Sequence, residues 1–136
     1  MDLMRSIKIA ASGLRAQSGR MRVISENLAN ADSTARTAGG EPYRRQIPTF
    51  KAAFDRELGA NVVEPGRIRP DRSDFKVRYE PGHPAADEGG YVQMANVNSL
   101  VEIMDMREAQ RSYEANLNIV RSARSMIQRT LDILRA

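Results

Sequence analysis

The last third of the chain carries apolar residues at a helical spacing. Neither Gly nor Pro occurs from Tyr91 onward, so nothing interrupts a helix, and the pattern predicts one from Asn98 to Arg135. One apolar position recurs every seven residues and a second position fills some of the gaps, as in a coiled-coil seam. The first set is Met106, Tyr113, Val120, Ile127 and Leu134, and the second is Ile103, Leu117 and Leu131. Gln110 and Arg124 interrupt the second set, which favours a packed bundle over a self-sufficient dimer.

A shorter stretch with the same pattern opens the chain. Its members are seven residues apart with others between them: Ile7, Leu14, Met21 and Leu28, then Leu3, Ala10 and Ile24. Gly13 and Gly19 lie inside this predicted helix and each costs about 1 kcal/mol relative to Ala. Two interpretations stay open. The glycines either allow another helix to pack closely against this one, or they only lower the stability of the helix. Small polar residues predict that the helix ends near Asn30.

The hydrophobic period changes to two in the middle of the chain. Tyr43–Thr49 alternates and predicts a strand whose Pro48 belongs at a sheet edge, whereas Lys51–Leu58 fits a strand or a helical turn equally. Further short strands are predicted at Asn61–Glu64, at Arg67–Arg69 across the turn dipeptide Pro65-Gly66, at Phe75–Tyr79 and at Tyr91–Met94. Together they predict a small antiparallel β unit.

The start of the second helix has a capping signal. Asn98 or Ser99 can accept a hydrogen bond from the first turn, and Glu102 is placed to complete a capping box.

These patterns predict a mainly α fold with a small β insertion. The N- and C-terminal helices form a coiled coil or bundle, made by residues 1–34 and 97–136, and residues 35–96 form a central antiparallel, β-hairpin-like domain. Both helices also carry apolar residues off the seam, such as Met4, Ile9, Leu100 and Met104. A two-helix hairpin cannot cover these side chains, so we expect partners from other chains.

Charge and composition exclude several classes of function. The net charge of +4 is spread as +3 over residues 1–30, 0 over residues 31–96 and +1 over the remainder, without a concentrated basic block, which argues against nucleic-acid binding. The absence of Cys excludes disulfides, thiolate metal sites and Cys nucleophiles. No apolar run approaches 18 residues and the N-terminus lacks the pattern of a cleavable signal peptide. Any passage out of the cytoplasm is therefore expected to use another route.

One loop invites a chemical interpretation. His83, the single His, lies near Asp87 and Glu88. A metal or catalytic site needs several convergent ligands, and no second His or Cys exists, so we expect no enzyme activity and no cofactor.

Motifs at both ends and in the central loop resemble the axial proteins of the bacterial flagellum. The general axial motifs are Ala11-Ser12-Gly13-Leu14 with Ala16-Gln17, and Asn27-Leu28-Ala29-Asn30. Narrower motifs are Pro42-Tyr43-Arg44, Tyr79-Glu80-Pro81-Gly82-His83-Pro84-Ala85-Ala86-Asp87 with Gly90-Tyr91-Val92, Asn96-Val97-Asn98, and Arg111-Ser112-Tyr113-Glu114-Ala115-Asn116. They cover nearly the whole chain in order, although Ala95 stands where the family usually has Pro.

The resemblance implies a structural subunit that polymerises helically, through its terminal helices, into the rod between the membrane-embedded motor and the hook. Implied partners are further copies, the rod proteins FlgB, FlgF and FlgG, the basal-body protein FliE and the flagellar type III export apparatus. The implied location is the basal-body rod across the periplasm, reached without a cleaved signal peptide. Alternatives are another rod or hook axial protein, or a module whose two helices present a groove to a partner helix. The expected assembly residues are Ile7, Leu14, Met21, Ile24, Asn27, Leu28, Asn30, Ile103, Met106, Tyr113, Leu117, Val120, Ile127, Leu131 and Leu134.

Overall fold

The computed structural model describes residues 2–135 and has a helix at each end with short strands between them. The elements are α1 (Leu3–Ala29), β1 (Gln46–Ile47), β2 (Phe50–Asp55), β3 (Ala60–Pro65), β4 (Arg69–Pro70), β5 (Lys76–Tyr79), β6 (Tyr91–Met94) and α2 (Ser99–Arg135). The prediction of a mainly α fold with a small antiparallel β insertion is confirmed.

Both helix boundaries inside the chain have local polar causes. At the end of α1, the Asn30 amide Nδ2 donates to the Glu26 carbonyl at 2.8 Å. At the start of α2, Asn98 Oδ1 accepts from the backbone N–H of Leu100 at 3.1 Å, so Asn98 is the N-cap. The predicted capping box is wrong, because the side chain of Glu102 is fully buried and binds residues far away in sequence.

The strands form three two-stranded antiparallel sheets, β1–β4, β2–β3 and β5–β6. The strand predicted over Tyr43–Thr49 is reduced to Gln46–Ile47, and the undecided stretch is a strand up to Asp55. The expected turn at Pro65-Gly66 does not join neighbouring strands, because β3 pairs back onto β2 with Phe50 opposite Pro65.

The β2–β3 turn has its own polar signal. Asp55 Oδ1 accepts from the backbone N–H groups of Glu57 and Leu58 at 2.9 and 3.1 Å. Gly59 follows with a φ of 59°, a left-handed conformation that favours Gly. The hairpin therefore turns at residues 55–60.

The chain divides into two compact units. The first comprises residues up to Met21, Thr49–Arg67 and the chain from Arg107 onward; the second comprises Arg22–Pro48 and Ile68–Met106. In the first unit the buried helix positions are small, which lets the backbones come close. They are Ala10, Ser12 and Ala16 on α1, and Ala109 and Ala123 on α2.

The two helical glycines have different surroundings. A Cβ built on Gly13 would lie 2.9 Å from the amide atoms of Asn116, whereas at Gly19 the nearest atom is in Pro65, 4.0 Å away. Gly13 therefore serves the close approach of α2, and Gly19 does not need to be Gly.

The same substitution should have different effects at these two positions. Gly19→Ala should raise the free energy of unfolding by up to about 1 kcal/mol through helix propensity. Gly13→Ala should gain less or lose stability, because the Asn116 amide, which donates to the Ser112 carbonyl at 2.9 Å, must move. Urea unfolding of both variants checks this, and an equal gain at the two sites would contradict the close approach.

The core of the second unit packs the segment after α1 against β6 and the residues that follow it. Ala31, Ala95 and Val97 form one buried cluster with Tyr43 against it, and Ala35, Ala85 and Val92 form another. The backbone N–H of Ala95 donates to the Ser33 carbonyl at 3.1 Å. These contacts fix the end of α1 beside the start of α2 within this unit.

Candidate assembly site

A fully buried amide, that of Asn27 on α1, uses all of its hydrogen-bonding capacity. Its Oδ1 accepts from the Tyr43 hydroxyl at 2.8 Å and from the backbone N–H of Gln46 at 2.9 Å. Its Nδ2 donates to the Gln46 carbonyl at 2.8 Å and to Glu102 Oε2 at 3.1 Å. Asn27 thus binds the backbone of Gln46 as a neighbouring strand would, and fixes residues 43–46 against α1.

The buried carboxylate of Glu102 on α2 has a cationic partner. Arg45 Nε lies 2.5 Å from Glu102 Oε1, and the guanidinium also approaches Asp71 at 3.4 Å and Asp105 at 3.7 Å. A buried charge persists only when it is paired and hydrogen-bonded, and Arg45 with Asn27 meets that need.

Asn96 completes this arrangement from the segment before α2. Its Oδ1 accepts from the backbone N–H of Arg45 at 2.7 Å, and its Nδ2 donates to Ser73 Oγ at 3.0 Å and to the carbonyls of Asp71 and Ser73 at 3.1 Å. We call Asn27, Tyr43, Arg45, Asn96 and Glu102 the Asn27 cluster. It joins both helices to the central loop inside the second unit.

Burial and neighbouring groups shift the pKa values of Tyr43 and Arg45 in the cluster and of the adjacent Asp71. Burial, with the carboxylates of Glu26 and Glu102 adding to it, raises the pKa of the Tyr43 hydroxyl, which therefore stays a donor. Burial alone would lower the pKa of Arg45, but the hydrogen bonds and charges of Glu102 and Asp71 outweigh burial and raise it. Backbone and side-chain hydrogen bonds from Ser73, helped by Arg45, lower the pKa of Asp71 against the effect of burial.

Asp71 should make stability depend on pH in the acid range. Its pKa is lower in the folded chain than the ordinary value of 3.8, so its stabilising contribution is complete above that value and is lost as pH falls through the folded pKa. Asp71→Asn should therefore flatten the fall in unfolding free energy between about pH 5 and pH 2. Urea titrations at several pH values test this, and unchanged slopes would contradict it.

The expected assembly residues have different exposures in the chain. Ile24 and Asn27 are buried, whereas Ile103, Leu131 and Leu134 are 43%, 43% and 77% exposed. The others are partly buried: Ile7, Leu14, Met21, Leu28, Asn30, Met106, Tyr113, Leu117, Val120 and Ile127. The expected set thus includes side chains enclosed by this chain and side chains open to a neighbour.

The stripe of α2 that packs deepest carries no large apolar residue. Glu102, Ala109, Asn116 and Ala123 are seven residues apart, and all but the partly buried Asn116 are enclosed. Sequence reasoning missed this stripe, because small and polar residues give no hydrophobic signal; their seven-residue spacing was the available cue.

Large apolar side chains are exposed along both helices. On α1 these are Met4 and Ile9, and on α2 they are Leu100, Val101, Ile103, Met104, Ile119, Met126, Leu131, Ile133 and Leu134. So many exposed apolar residues mark an interaction surface.

His83 has a structural role in the loop after β5. Its Nδ1 accepts from the backbone N–H of Ala85 at 3.0 Å, and its Nε2 lies 3.3 Å from Thr34 Oγ1. The loop is thereby tied to the segment after α1.

Among residues 2–135, no group of three His, Cys, Asp or Glu side chains is close enough to hold a metal ion. In the same residues, neither helix is long and apolar enough to span a membrane.

Replacing His83 should therefore have a small, structural effect. His83→Ala should lower the unfolding free energy by about 1–2 kcal/mol through the two lost hydrogen bonds, without affecting bound metal. Unfolding curves and elemental analysis measure these outcomes, and stoichiometric zinc that disappears in the variant would contradict our interpretation.

Family models match both ends of the chain. Residues 7–36 match the model "Flagella basal body rod protein", and residues 88–133 match "Flagellar basal body rod FlgEFG protein C-terminal". The first match covers most of α1 and the turn after it, and the second covers β6 and most of α2. The two terminal helices with their exposed apolar side chains therefore correspond to the terminal regions of flagellar rod proteins, which is the class that the models define.

Curated relatives narrow this class and match almost end to end. The flagellar basal-body rod protein FlgC of Agrobacterium fabrum is 50% identical over 129 residues, covering 95% of this chain and 93% of the relative. FlgC of Borreliella burgdorferi is 40% identical, with 98% and 99% covered, and FlgC of Salmonella typhimurium is 37% identical, with 98% of each covered. The chain belongs to the FlgC family of flagellar basal-body rod proteins.

Proposed function

We propose that the chain is a structural subunit of the flagellar basal-body rod and that it polymerises helically through its terminal helices. The observation that carries this proposal is the row of exposed apolar side chains along α1 and α2 in a member of the FlgC family. Exposed apolar surface of this extent needs cover, and a heterologous contact that repeats without closing builds a helical polymer.

The assembly residues follow from the predicted seam and from exposure. Ile103, Leu131 and Leu134 are exposed, and we propose that they contact neighbouring subunits directly. Ile24 and Asn27 act inside the chain, where they set the position of the helix that presents the others. In the assembly, residues 1–34 and 97–136 form the axial helical part, and residues 35–96 the central domain between them.

Membership in the FlgC family supports a more exact location for the subunit. We propose that it lies in the proximal rod, which crosses the periplasm between motor and hook, and that it meets FlgB, FlgF, FlgG and FliE there. The subunit reaches the rod by export through the flagellar type III apparatus, without a cleaved signal peptide. Its contribution is mechanical rather than catalytic.

Deletion and complementation in the source bacterium test the proposal. Cells lacking the gene should have no complete rod and no motility, and the wild-type gene should restore both, as scored by electron microscopy of isolated basal bodies. Intact rods in the deletion strain would refute the proposal. Measuring the mass of the complexes as the protein concentration rises distinguishes a polymer from a helix-binding module. The complex of a module stops growing at a fixed stoichiometry, whereas a heterologous polymer does not close.

A further inference from the structure

The β2–β3 hairpin of the first unit has an uncharged side that faces outward. Alternate residues of each strand share a side, and the cross-strand pairs Phe50–Pro65, Ala52–Val63 and Phe54–Asn61 place six of them together. All six are exposed, with Phe54 at 64%, Phe50 at 43% and Val63 at 41%. We call Phe50, Ala52, Phe54, Asn61, Val63 and Pro65 the hairpin face.

The charged residues of these strands lie on the other side. Lys51 and Glu64 form an ion pair at 2.9 Å, and Asp55 caps the turn. The same side also carries the less exposed Ala53 and Val62, so the two phenylalanines lie on the more exposed side of the hairpin, whereas a half-exposed antiparallel sheet normally turns its large apolar residues to the core.

Helix α1 lies against the hairpin without covering its apolar face. The backbone N–H of Val63 donates to Ser12 Oγ at 3.3 Å, and Arg5 donates to the Gly59 carbonyl. Among residues 2–135, the contacts of Phe50 and Phe54 leave a large part of each ring in water. An exposed apolar patch of this kind marks a contact surface for another molecule.

A surface of matching length and polarity is exposed on α2. Ile119, Met126 and Ile133 are seven residues apart and are 48%, 48% and 75% exposed. We call these three residues the helix stripe. It spans about 21 Å at 1.5 Å per residue, and a strand of six residues spans roughly 17–20 Å.

The regions that carry the two surfaces have net charges of opposite sign. Residues 50–65 contain two basic and three acidic residues, whereas residues 119–135 contain four basic and one acidic residue. Glu57 at the hairpin turn and Arg129 beside the helix stripe are both exposed. Attraction between these opposite net charges would favour the approach of the two regions.

We propose that the hairpin face of one subunit packs on the helix stripe of a second copy of the same chain. The two surfaces differ, so the contact is heterologous and can be repeated without closure, as a helical rod requires. This inference rests on the proposed function and adds a contact made by the β region to the contacts made by the predicted seam.

Cysteine cross-linking tests the contact in assembled rods, because the chain has no Cys of its own. Phe54→Cys and Met126→Cys variants, each with one Cys, are co-expressed in cells without the wild-type gene, and isolated basal bodies are treated with a short bis-maleimide. A cross-linked dimer that forms only when both variants are present is expected. Matched controls replace Phe54→Cys by Lys51→Cys, on the opposite side of β2, or Met126→Cys by Arg124→Cys, elsewhere on α2, and should give no such dimer.

The other outcomes overturn either the contact or the proposed function. Efficient Phe54–Phe54 cross-links would indicate that two hairpins meet, and cross-links to a chain of different mass would identify another rod protein as the occupant. Normal rods without cross-linked dimer refute the contact but leave the proposed function standing. If the wild-type gene itself does not restore rods, the proposed function fails instead.

A charge on the hairpin face gives a second measurement. Phe54→Asp should abolish rod formation while the circular dichroism of the purified chain stays unchanged, and Arg56→Asp in the adjacent turn should still build rods. A normal rod from Phe54→Asp would overturn the proposal.

Discussion

Arg45→Met should lower the free energy of unfolding of the second unit by about 3–5 kcal/mol, the usual cost of stranding a buried charge. The variant leaves Glu102 fully buried with Asn27 as its remaining hydrogen-bond partner. A loss of this size is a large share of the total stability of a small domain. Urea unfolding followed by circular dichroism, with amide exchange to assign the loss to the second unit, is the measurement.

The adjacent arginine provides the matched control. Arg44 Nη1 donates to the carbonyls of Asp71 and Ser73 at 2.9 and 3.1 Å, and its guanidinium lies 4.1 Å from the centre of the Phe75 ring. Arg44→Met should cost about 1–3 kcal/mol, less than Arg45→Met, because it strands no buried charge. The double variant Arg45→Met with Glu102→Leu should recover much of the loss, since it removes both charges. Equal effects of Arg44→Met and Arg45→Met would show that Glu102 does not depend on its ion pair.

Leu117→Asp should abolish rod assembly while leaving the chain folded. Leu117 is half-buried, and Ile103 and Leu131, two helical positions of the same predicted stripe, are exposed. A carboxylate in a contact that becomes dry on assembly costs several kcal/mol in every subunit, and one subunit follows another along the rod. Electron microscopy of basal bodies measures assembly, and cell fractionation measures export separately.

The control for this prediction is Arg107→Asp, an exposed position outside the predicted stripe, which should assemble nearly normally. If Leu117→Asp builds normal rods, α2 does not contact its neighbours along the predicted stripe. Loss of export together with assembly would instead indicate a folding or recognition defect.

The sequence predicted the helices well because their signals are local. The absence of Gly and Pro after Tyr91 and the capping side chain of Asn98 define α2, and small polar residues end α1 near Asn30. Periodicity also identified a β unit in the middle, but it placed the β2–β3 turn wrongly. Pro65-Gly66 is a strong turn dipeptide, whereas Asp55 and Gly59 signal the real turn only in combination.

The Asn27 cluster could not be predicted, because its members are distant in sequence. Glu102 has the spacing of a capping residue, and nothing near it indicates that Arg45 or Asn27 will be its partner. The motif residues Asn27, Tyr43 and Asn96 signalled the family, and the structure gives these three a shared physical role.

The long range of these contacts has a consequence for the order of folding. Asn27 and Glu102 are separated by 75 residues and Arg45 and Glu102 by 57. Closing such loops costs entropy before any contact compensates for it, so high contact order slows folding. A chain that is synthesised, or threaded through a narrow channel, with its N-terminus first cannot complete the cluster until Glu102 has emerged. Its first hundred residues would then lack the buried ion pair, and the second unit would close only once α2 arrives.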